Sequence, residues 1–167
     1  MSQLALYGIG IAFGFIAWGI VTAQCIWPEL SRHSRADAIR PLLILHCFRF
    51  MGLAFMVPGV VSPELSDAFA HAAAYGDLIA AILAVLALAA GPETKLGLLL
   101  VWAFNLWGTA DLLYAFYQGN QVGLRPGQLG AAYFIVTVLV PLLLITHGLV
   151  FRLLLQGAAD AGEPLRK

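Results

Sequence analysis

Apolar positions run almost unbroken through four stretches of the chain, 4–27, 41–61, 97–118 and 129–153, and polar residues gather between them. A helix needs about 20 predominantly apolar residues to cross a bilayer, so each stretch predicts a membrane span. A fifth is shorter: LIAAILAVLALAA at 78–90 crosses only if its helix begins near Ser66 and takes in AFAHAAAYGD. The span is then 67–90. Gly76 marks the alternative, a break into a surface helix and a shorter buried one. The pattern predicts an all-α, polytopic integral membrane protein, a five-transmembrane-helix bundle forming one membrane domain over 1–167.

Polar positions within the spans repeat at helical spacing. At about 100° per residue, Ala70, Ala73, Ala74, Asp77, Ala80, Ala81, Ala84 and Ala87 form one stripe, opposite Leu78, Ile79, Ile82, Leu83, Val85 and Leu86. The small residues predict the bundle-facing side and the large ones the lipid-facing side, which points the Asp77 carboxylate inward. Asn105, Gly108 and Asp111 line one face of span four, with Leu99, Leu106 and Leu113 opposite. Span five sets Tyr133, Thr137, Val140, Leu144, His147 and Phe151 on one side, with a kink expected at Pro141. Span one carries Gly10, Gly14 and Ala17 on one face and Gly8, Ala12, Gly19 and Ala23 on the other, predicting neighbours on both sides. Pro28 is expected to end span one, and Pro41 to occupy the first turn of span two. The repeated PELS at 28–31 and 63–66 marks helix ends and starts.

Composition agrees: 61% of residues are hydrophobic and 11% charged, and mean hydropathy is +0.88, too little polar surface for a water-soluble globule of this size. Nine basic and nine acidic residues balance, so nothing suggests nucleic acid as a partner. Their placement sets the topology. With five crossings Arg32, Arg35, Arg40, Lys95, Arg152, Arg166 and Lys167 share one side and Arg125 alone takes the other, whereas four crossings split them evenly. The positive-inside rule then puts the N-terminus outside and the C-terminus in the cytoplasm of an inner-membrane protein. Residues 1–10 lack Lys and Arg, and the apolar run to Trp27 is longer than a secretory core, so span one is not expected to be a cleaved signal. Cys25 and Cys47 fall near the cytoplasmic face and are expected as free thiols. Trp27 and Tyr117 sit where interfacial anchors concentrate.

Candidate chemistry begins with Arg49. A charge near the bilayer centre costs at least ~2.5 kcal/mol and persists where it faces protein and a partner. Asp77 and Asp111 lie at compatible depth, with Asn105 as a further hydrogen-bonding group. One arginine against two carboxylates leaves an excess negative charge, or a carboxyl that keeps its proton. His46 and His147 form a second pair, five and six residues from the cytoplasmic ends of spans two and five. Matched depth suits hydrogen bonds to neighbouring helices, or the axial positions of a haem b. No P-loop, dinucleotide fingerprint or GxSxG occurs, and no lysine stands inside a span to form a Schiff base; no enzyme class follows. The expected function is to bind or pass a small, anionic or amphiphilic molecule, coupled to a proton. Arg49 would hold an anionic group, Asp77 or Asp111 would exchange the proton, and His46 or His147 would relay it. The alternatives are a b-type cytochrome with His46 and His147 as ligands, and a structural or accessory subunit. Five spans without internal duplication point to a homodimer for any inverted-repeat transport.

Overall fold

Serine and threonine caps start three of the long helices. In the computed structural model, which describes residues 2–162, Ser2 Oγ accepts from Ala5 N, Ser34 Oγ from Asp37 N and Thr94 Oγ1 from Gly97 N. These satisfy N–H groups that the first turn leaves without partners. Five helices are long and apolar enough to cross a membrane: α1 (Gln3–Leu30), α2 (Arg35–Met56), α3 (Asp67–Ala90), α4 (Lys95–Gln121) and α5 (Ile135–Gln156). The last continues beyond that span to Gly162. Of the residues in the charge census, Arg166 and Lys167 lie outside the described part of the chain. Links at 31–34 and 91–94 share one end with the C-terminal end of α5, here called the arginine-rich end. The N-terminus and the links at 57–66 and 122–134 share the other, the loop end.

Several boundaries differ from expectation, and proline explains most of them. α1 does not stop at Pro28. It passes through a π-helical turn at Thr22–Ile26, with Trp27 N–H bonded to Thr22 O, and runs on to Leu30. α5 repeats the device: a π turn at Ile135–Leu139, with Val140 N–H bonded to Ile135 O, stands just ahead of Pro141. A proline supplies no N–H and crowds the carbonyl four residues back, and the wider turn accommodates it. α2 starts early, at Arg35, so Pro41 is inside the helix rather than in its first turn. It also ends early, at Met56, before the bend at Val57. Residues 129–134 of the expected fifth span belong largely to a 3-10 segment, Pro126–Ala132, with a kink at Gly130 (φ 52°). A side chain at Gly130 would collide with Val60 O, and Ala131 N donates to that carbonyl at 2.8 Å, joining the two loops.

α3 is continuous through Gly76. Every residue of its alanine stripe is buried, Asp77 included, while Ile79, Ile82, Val85 and Leu86 are exposed. Helices α2 to α5 pack about each other, and α1 lies outside them against α5. Gly10 and Gly14 meet Tyr133, just ahead of α5, and Thr137 and Pro141 within it, whereas Gly8 and Gly19 have no neighbour within 4 Å, so only one of the two small-residue faces of α1 is used inside the chain. Trp18 Nε1 adds a bond to Val138 O at 2.9 Å. At the arginine-rich end Arg152 stacks 3.7 Å above the Trp27 ring, and Arg40 pairs with Glu93 at 2.6 Å.

The core has layers along the bundle axis. One apolar cluster, around Leu43, Ala84, Phe104 and Val150, fills the arginine-rich half. A second, around Phe55, Phe69, Leu129 and Val136, fills the loop half. Between them in every core helix come the buried polar residues: His46 and Arg49, Asp77, Asn105, and Thr146 and His147.

Candidate functional site

Arg49 is at the centre of that polar layer because α2 tightens there. From Phe48 to Met56 the helix is 3-10, and its buried residues are Arg49, Gly52 and Phe55. With three residues per turn these positions stack in one row; an α-helix would carry them progressively off the inward face. Arg49 is 0% exposed, and the side chains of Asp77 and Asp111 are 9% and 8% exposed.

All three nitrogens of the guanidinium meet acceptors, through four hydrogen bonds and one further ion-pair contact. Nε donates to Asp77 Oδ1 at 2.7 Å, and Nη2 reaches the same oxygen at 2.6 Å. Nη2 also donates to Asp111 Oδ2 at 2.7 Å. Nη1 donates to Gly108 O at 3.2 Å and to His147 Nε2 at 3.1 Å. His147 must therefore offer a lone pair at Nε2 and carry its proton on Nδ1, which donates to Asn105 Oδ1 at 2.7 Å. One arginine ties α2 to α3, α4 and α5.

Close approach depends on glycine. A Cβ at Gly52 would overlap the Asp77 carboxylate, and one at Gly76 the Asp111 carboxylate. Gly76 is thus the floor under Asp111 rather than a helix break, and its carbonyl accepts from Trp107 Nε1 at 3.2 Å.

The expected residues Arg49, Asp77, Asn105 and Asp111 come together, and His147 joins them instead of forming a separate site with His46. His46 lies just beyond, its ring 4.3 Å from that of His147 and 4.9 Å from Phe104, centroid to centroid. Thr146 Oγ1 donates to Leu142 O at 2.9 Å, so it accepts from His46 Nε2 at 2.9 Å. A bis-histidine haem does not fit this arrangement. The two rings are in contact with no space for a porphyrin between them, and each Nε2 already has a protein partner. Among the described residues, no three His, Cys, Asp or Glu are grouped to hold a metal ion.

Every nitrogen of the Arg49 guanidinium meets a protein acceptor, and the guanidinium lies between the carboxylates and His147.

The carboxylates instead face a cavity of about 230 Å³ in the loop half of the bundle. Asp77 and Asp111 line its deep end, Tyr7, Phe55, Phe69 and Phe116 are among its walls, and Leu4, Asn120 and Leu124 lie nearest the loops. These aromatic residues were not singled out from sequence. Each is an unremarkable apolar position of its own helix, and only packing gathers them. Thr146 and Gly52 were also missed, although Gly52 stands one 3-10 turn from Arg49.

No curated protein and no solved structure matches the chain. The family described as Domain of unknown function (DUF8737) matches residues 6–155, a range that contains all five spans in large part and every residue of the polar layer, and the chain belongs to that family.

Proposed function

We propose that this is an inner-membrane protein, N-terminus outside and C-terminus cytoplasmic, whose bundle binds or passes a small amphiphilic molecule through the cavity above Asp77 and Asp111. The observation that carries this reading is a cavity with largely apolar, aromatic walls and ionisable groups at one end, the usual make-up of a small-molecule site. Its size fits: an apolar cavity of about 150 Å³ holds benzene. One arginine facing two carboxylates leaves one negative charge uncompensated, so a proton or a cationic group is required to balance it. Exchange of the two would couple ligand to proton on the loop side of Arg49.

The saturated Arg49 knot favours a second reading, an accessory subunit whose polar residues only lock helices. Thermal unfolding in lipid nanodiscs with a panel of single-ring compounds separates the two. A ligand at a hundred times its Kd stabilises by ~2.7 kcal/mol, and that gain is expected to vanish in Ala73→Leu and Ala115→Phe, which fill the cavity. If no compound stabilises the parent more than the filled variants, the accessory reading replaces ligand binding.

A further inference from the structure

We infer that the ligand is a monovalent organic cation, a protonated amine on a ring or short alkyl body, seated with its charge at the carboxylates and its body among the aromatic walls. This deepens the cavity reading proposed above and rests on it. Asp77 Oδ1 and Asp111 Oδ2 receive the arginine, whereas Asp77 Oδ2 and Asp111 Oδ1, which lie against Gly52 and Gly76, accept no hydrogen bond from the described residues, and both carboxylate residues line the cavity. With both carboxyls ionised and Arg49 counted, the deep end carries one net negative charge; otherwise one carboxyl keeps a proton, which an ammonium would displace. An ammonium supplies the missing charge and the missing donors together. Phe55, Phe69, Tyr7 and Phe116 suit the same ligand, because aromatic faces attract cations. An anion would meet two carboxylates. A divalent metal ion would want six or more oxygens, and the remaining walls are mainly carbon.

Benzylamine, benzyl alcohol and benzoate share one ring and differ in charge, so they serve as probes, with benzyltrimethylammonium as a permanently charged fourth. Binding to the full chain in nanodiscs, corrected for partition into empty nanodiscs, is expected to be at least tenfold tighter for protonated benzylamine than for the alcohol, with benzoate weakest. Benzyltrimethylammonium should also bind more tightly than the alcohol, which isolates charge from hydrogen bonding without any mutation. Asp111→Asn should bring benzylamine down to the level of the alcohol. If the alcohol or benzoate binds as well as both cations, the cation assignment is wrong and the cavity reading stands. If none of the four binds, the cavity reading itself fails.

Discussion

Asp77 and Asp111 both touch Arg49, but unequally. Asp77 takes two contacts from the guanidinium and Asp111 one, which makes Asp77 the principal partner and Asp111 the freer group. Truncating one member of a buried pair strands the other at a cost of ~3–5 kcal/mol, whereas removing both is far milder. Arg49→Ala should therefore destabilise strongly, and adding Asp77→Asn should restore more than adding Asp111→Asn, read as coupling energies from unfolding midpoints. Equal coupling would remove the distinction. The glycines under the carboxylates make a second prediction. Gly52→Ala and Gly76→Ala should each cost ~1–3 kcal/mol through overpacking, while Gly8→Ala and Gly19→Ala, with open space around them, should stay within ~0.5 kcal/mol. A third concerns pH. Around Asp111 the facing ionisable groups are Arg49 of α2 and Asp77 of α3, with Tyr7 of α1 on the cavity wall. A proton and a cationic ligand compete for the one uncompensated charge, so benzylamine should bind more weakly as pH falls, and Asp111→Asn should flatten that dependence. An affinity independent of pH in the parent would separate the ligand from the proton.

At the level of elements, the two π turns let α1 and α5 carry prolines within continuous helices, and they also shape the contact between them. Pro141 has no N–H for the Thr137 carbonyl, and Gly14 packs against that carbonyl and the proline ring. Next to it Trp18 donates to Val138 O. Trp18→Phe keeps the ring and removes the donor, so it should cost ~0.5–1.5 kcal/mol and expose α1 to added protease before α2–α5 unfold. An unchanged melt and digestion pattern would show that glycine packing alone holds α1. The 3-10 turn of α2 is equally consequential. It lines up Arg49, Gly52 and Phe55, and so joins the polar layer to the wall of the cavity.

For the whole molecule, the distribution of charge predicts orientation. Arg32, Arg35, Arg40, Lys95 and Arg152 lie at one end of the bundle and Arg125 at the other. Reporter fusions after the 31–34 link and at the C-terminus should both report the cytoplasm, and one in the 122–134 link should report the outside; opposite sides for the first two would contradict the orientation proposed. In that orientation the cavity faces outward, and the Arg49 layer with the cluster around Phe104 closes the path to the cytoplasm.

Sequence by itself marked the five helices long and apolar enough to cross a membrane and the inward faces of α3 and α4, because small and large residues segregate at helical spacing: the alanine stripe around Asp77 and the strip from Asn105 to Asp111 are inside as their spacing demands. It also marked Arg49 and its carboxylates, since a charge in a span requires a partner wherever the helices pack. Helix ends were less legible. Pro28 signals a helix end and Pro41 a helix start locally, and a π turn or an earlier cap overrides each signal. Only the tertiary structure decided that His147 belongs to Arg49 rather than to His46, that Arg49 joins acceptors from three other helices, and that a cavity opens beside the carboxylates. Those outcomes depend on the local pitch of α2, on glycines that admit a neighbour's carboxylate, and on aromatic side chains from four helices converging on one space. Spacing within a single helix carries no record of any of them.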